Sequence, residues 1–139
     1  MKKLPLLLIL SVFSFGLSIA QTKVANTAFT FGEELNFEVS YGWLSLAEAK
    51  LQVAKRPHSE EDRVFYKIDA FGKTKGAATI FGRVNDHWGT HLDTGSFLPS
   101  MSYRHIEEGK YRKHEKVYFD QQNKKARVEL YDRENRTLK

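Results

Sequence analysis

Side chains in this sequence change character at every second residue, and that period limits the fold more than any other feature. In Glu34–Gly42, Leu35, Phe37, Val39 and Tyr41 alternate with Asn36, Glu38 and Ser40. Successive side chains of a strand point to opposite sides of its sheet, so this is the pattern of a half-buried strand. Leu46–Lys55 repeats it, with Ala47, Ala49, Leu51 and Val53 set against Glu48, Lys50 and Gln52. Gly42-Trp43-Leu44-Ser45 lies between them as a turn. Short links join antiparallel neighbours, whereas parallel ones need a long crossover.

The same reading extends along the chain. Arg56–Asp62 reads as a polar loop. Arg63–Ala70 gives a third strand, with Val64, Tyr66 and Ile68 on one face and Phe65, Lys67 and Asp69 on the other. The pattern weakens over Gly72–Gly82, where Thr74–Phe81 reads equally as a short helical turn or an irregular strand. Asp86–Thr94 resumes it, setting Trp88, Thr90 and Leu92 against His87, His91 and Asp93. Pro99 lacks the amide a central ladder needs, so it separates strands. Met101–Glu107 and Lys110–Gln121 form another pair, turning at Glu108-Gly109, and Lys125–Tyr131 supplies a last strand after a turn at Gln121–Lys124.

The expected fold is all-β: seven or so antiparallel strands in a curved sheet or partly open barrel, with few or no helices. An antiparallel sheet can bury one face and wet the other, so Leu35, Phe37 and Val39 are expected under cover. Asp132–Lys139 is polar and brings no capping element, which leaves an open edge. That edge suggests a domain, 21–139, incomplete at its C-terminal end.

Residues 1–20 read as a cleavable signal peptide. Lys2 and Lys3 precede an apolar run from Leu4 to Ile19, and Ser18-Ile19-Ala20 has the small-x-small form that signal peptidase accepts. A membrane span needs about 20 apolar residues, and this run is shorter. No other segment could span a bilayer, so the expected location is the periplasm or cell envelope. The chain has no Cys, which rules out disulfides and a lipidated cysteine. The net charge of +5 falls to +3 without the two leading lysines, split as +4 over 103–139 and −1 over 21–102. A basic end suits an anionic partner or a solvated strand face. Nucleic-acid binding would need cations interleaved with stacking aromatics, and export argues against it.

Chemistry-bearing patterns are sparse. His87 and His91, four apart on a strand rising about 3.3 Å per residue, stand roughly 13 Å apart. That is too far for two zinc bonds of about 2 Å each, and no ligand trio is visible. Neither a metal nor another cofactor is expected. Glu33 and Glu34 are adjacent, so they point to opposite faces and do not flank one bond. The chain lacks a G-x-S-x-G elbow and a glycine-rich phosphate cradle, so no catalytic residue is assigned.

The aromatics are more informative. Eight Phe, both Trp and all six Tyr follow the leader. Trp43, Phe65, Trp88 and Phe97 are candidates to line a groove for an apolar ligand, with Arg104, Lys110 and Arg112 at its rim. Core packing, and packing against a further half of the protein, remain open for the same rings.

Several strings, taken in order, carry a resemblance. They are Phe29 with Gly32 and Glu33, then Leu35-Asn36-Phe37; Thr74-Lys75-Gly76; Asp86 to Asp93; Leu98-Pro99; and Arg104-His105-Ile106-Glu107-Glu108-Gly109-Lys110-Tyr111. Together the sequence resembles the DUF3108 family of exported bacterial proteins. Members are usually longer, so the chain looks like the N-terminal half of one. The resemblance implies a curved antiparallel sheet akin to periplasmic carriers of lipidated proteins, and no established catalytic residues. The expected function is therefore non-catalytic binding of a lipid, lipopeptide or envelope polymer. A structural or protein-interaction module is the first alternative, and a hydrolase with an unrecognised site the second.

Overall fold

A computed structural model describes residues 25–131 and the strand at 137–138. The expected signal peptide, residues 1–20, and most of the polar stretch Asp132–Lys139 lie outside the described residues. Nine strands follow one another: β1 (Glu34–Tyr41), β2 (Leu44–Val53), β3 (His58–Glu60), β4 (Arg63–Thr74), β5 (Asn85–Asp93), β6 (Pro99–Glu108), β7 (Tyr111–Asp120), β8 (Lys125–Tyr131) and β9 (Thr137–Leu138). One short helix, α1 (Ala78–Phe81), interrupts them between β4 and β5. The stretch that sequence left undecided thus contains a single helical turn.

The strands form one antiparallel sheet in the order β1-β2-β4-β5-β6-β7-β8-β9, which does not close on itself. Almost every link is a tight one between sequence neighbours. Tyr41 pairs with Leu44 across Gly42-Trp43. Gly42 takes φ 59 at the first central position of that two-residue turn, a left-handed conformation for which glycine carries no steric penalty. β3 was read as loop. It pairs with β4 at 63–65, just past the point where β2 stops pairing at Ile68. β9 pairs with β8, so the expected open edge is partly covered. Pro99 is the first residue of β6, where a missing amide is tolerated.

Register defines two faces. On one, Leu35 pairs with Leu51, Leu51 with Ala70, Ala70 with Trp88, Trp88 with Arg104, Arg104 with Glu115, and Glu115 with Leu130. The other face carries Asp69, His87, His91, Tyr103 and His105. The alternation read from sequence holds strand by strand, yet the apolar face is not dry. Phe37 and Val39 are each 54% exposed. The reason is that the described residues form one layer, and a sheet buries a face only against a second layer. Among the described residues the buried apolar side chains are Val53, Phe65 and Ile106. One end of the apolar face is covered locally, where Phe29 packs edge-on against Tyr66 at 5.0 Å and Phe97 at 6.3 Å, and Phe97 stacks on Tyr66 at 6.1 Å.

The centre of the sheet is held by a close approach. Gly89 lies opposite Asp69 on one side and Tyr103 on the other. The Tyr103 side chain crosses directly over Gly89, and its hydroxyl donates to the Asp69 carboxylate two strands away. A Cβ at Gly89 would come within 2.2 Å of the Tyr103 ring. Gly89→Ala is therefore expected to destabilise the fold by about 1–3 kcal/mol through overpacking. Gly82→Ala, where a Cβ meets open space, should leave the urea midpoint nearly unchanged.

Candidate functional site

The apolar face has charges set into it. Arg104 and Glu115 lie opposite each other in the middle of the apolar row and form an ion pair. Lys113, on the same face of β7, places Nζ 2.8 Å from the other Glu115 oxygen. Burial alone would raise the Glu115 pKa, but the hydrogen bonds and charges of Arg104 and Lys113 outweigh it and hold the carboxyl below its ordinary range. Two cations face one carboxylate, so the cluster carries a net positive charge. Trp88, Arg104, Glu115 and Val117 border a depression of about 310 Å³ beside it.

Of the seven residues that sequence offered as a groove, only Trp88 and Arg104 come together. Trp88 is 39% exposed, at the centre of the face, with the small Ala70 beside it. Trp43 sits at the tip of the β1–β2 turn and is 94% exposed. Phe65 lines no groove on this face. It points to the opposite side, as its alternation with Val64 and Tyr66 requires, and is 2% exposed. Phe97 is taken up by the Phe29 and Tyr66 cluster. Lys110 lies in the β6–β7 turn, and Arg112 on the polar face donates to the carbonyls of Gly109 and Tyr111. Sequence reasoning missed Lys113 and Glu115. Their spacing with Val117 and Phe119 was visible, but their cross-strand partner was not.

The polar face holds three further groupings. Asp69 accepts hydrogen bonds from the Tyr103 hydroxyl and, at 2.7 Å, pairs with His87 Nε2. Burial, followed by donation to Asp69 and that residue's charge, raises the Tyr103 pKa, so its hydroxyl stays protonated as a donor. His87 also stacks on Phe71, with centroids 4.4 Å apart and planes at 12°. Next to this set, His58, Glu60 and His91 each place a ligand-type atom within 4.8 Å of the others. Toward the β1 edge, Lys73 and Lys75 reach Glu48 at 2.5 and 2.8 Å and pull its pKa down to about 2.

The fold and site define an all-β protein with an open antiparallel sheet, one face apolar and one rich in histidine and tyrosine. The chain belongs to DUF3108, a family described as proteins of unknown function, whose pattern matches residues 36–139. Neither a curated protein nor a solved structure matches it.

The Glu115 cluster sets an acid limit on stability. Its folded-state pKa lies below the ordinary 4.5, so its contribution is complete above that value and is lost as pH falls through the folded one. Glu115→Gln should lower stability at neutral pH by about 1.5–3 kcal/mol, the range for a hydrogen bond to a charged group. It should also flatten the loss below about pH 4.5, measured by urea denaturation across pH.

Proposed function

We propose that this protein is an exported envelope protein that binds an amphipathic anion, a lipid or lipopeptide, without catalysis. The observation that carries the reading is an apolar face left largely uncovered by the described residues, with a positive cluster set into it. An acyl chain would lie over Leu51, Ala70 and Trp88, removing apolar surface from water at about 25 cal/mol per Å². Its anionic head would meet Arg104 and Lys113, where the surrounding apolar surface strengthens a charge-assisted contact.

Two further features support the reading. The leader-like segment 1–20 routes the chain to a compartment rich in such ligands. In addition, Trp43 on the β1–β2 turn and Ile80 and Phe81 on α1 stand exposed at one end of the sheet, linked there by the Lys75 amide on the Leu46 carbonyl. Aromatic and apolar side chains grouped at a tip suit the layer between headgroups and acyl chains.

A second reading rests on β1. Its outer edge pairs with nothing among the described residues, and Leu35, Phe37 and Val39 are exposed along it. Strand addition by a protein partner would cover both edge and face.

Native mass spectrometry of protein purified from the periplasm separates the two. A co-purifying acyl lipid is expected, lost together in Trp88→Ser and Arg104→Ala with the fold intact by circular dichroism. A lipid-free dimer would instead favour the edge-docking reading.

A further inference from the structure

The polar face carries a donor set drawn from β3 and β5. β3 runs beside β4 with His58 opposite Phe65 and Glu60 opposite Arg63. On the far side of β4, His91 stands opposite Lys67. His58 and His91 therefore reach toward each other across β4, and their ring centroids lie 4.3 Å apart with planes at 47°. Glu60, two residues from His58, shares its face by the period of a strand. The three ligand-type atoms all lie within 4.8 Å of one another.

We propose that His58, Glu60 and His91 bind one divalent transition-metal ion, and the donors favour zinc. Two imidazoles and a carboxylate are a known three-ligand zinc set whose fourth position stays open to water. Donors about 2.0–2.2 Å from zinc stand roughly 3.3–3.5 Å apart in a tetrahedron. Closing from the observed spacing needs only modest side-chain rotation, and Glu60 is free to rotate because it is exposed. Calcium and magnesium prefer oxygen-only shells, so the imidazoles select against them.

A separate observation points the same way. His91 is 8% exposed, and its Nδ1 is buried without a hydrogen-bond partner. Buried polar atoms are nearly always satisfied, and each exception calls for an explanation. Phe65 supplies an apolar floor 6.3 Å from the His91 ring. The nearby cations are already engaged, Arg63 by Asp93 at 3.1 Å and Lys67 by Asp69 at 3.9 Å. A bound ion would clasp β3 to β5 over the top of β4, and binding only the native state it would stabilise the fold.

The reading without metal has the two histidines stacking simply to roof Phe65. Isothermal titration of the chelator-treated chain with zinc chloride tells them apart. One ion per chain is expected, with micromolar or tighter Kd and a rise in Tm; magnesium chloride should give no heat. Glu60→Gln and His58→Gln, neither of them a buried position, should each weaken zinc by more than the roughly 10–100-fold that loss of an outer-shell partner costs. His105→Gln, a histidine elsewhere on the same face, should leave affinity unchanged. X-ray absorption of the zinc-loaded chain should show only nitrogen and oxygen neighbours near 2.0–2.2 Å. The proposal is overturned if no saturable binding occurs up to about 1 mM zinc, or if the Glu60 and His58 variants bind as the parent does.

Discussion

A pleated strand cannot hide half of its side chains by itself, and most of what distinguishes this protein follows from that. Each strand turns alternate residues to opposite sides, so a sequence of period two delivers an apolar face whether or not anything lies against it. Here nine strands pair into a single layer, and Phe37 and Val39 remain in contact with water. Cohesion comes from backbone ladders, local aromatic clusters and a few long side chains that cross strands. Apolar burial, usually the main driving force of folding, is concentrated at Val53, Phe65 and Ile106.

Against that background, the ionic cluster on the apolar face is an uncommon choice. Placing Arg104, Glu115 and Lys113 among aliphatic neighbours carries a desolvation cost that an ion pair seldom recovers in full. In a face without cover, the cost is moderated because Arg104 and Lys113 keep access to water. An occupant of the face would end that access, and an anionic group on it would replace water around the cations.

Much of the fold could be read from the chain, because alternation is local. β8 coincides with the expected strand, the pairs β1–β2 and β6–β7 were anticipated, and the two faces of β4 and β5 were assigned residue by residue. What escaped depends on contacts between strands distant in sequence. β3 spans three residues and exists only because β2 stops short and frees the edge of β4. With it came His58 and Glu60, which no spacing along one strand could bring to His91. Tyr103 crosses to Asp69 only because position 89 has no side chain, a relation visible only once register is known. The residues expected to line a groove are dispersed for a related reason. Composition counts rings, and only the sheet shows that Phe65 faces away while Trp43 stands at a hairpin tip, far from Trp88.

That separation of the two tryptophans equips the chain with a pair of native fluorophores in unlike surroundings. Trp43 is surrounded by water, and Trp88 lies among side chains in mid-sheet, with no third indole to blur the contrast. Emission from the first reports on whatever touches the hairpin tip. Emission from the second reports on whatever settles over the sheet. Contact at the hairpin tip and cover over the sheet therefore carry distinct optical signatures.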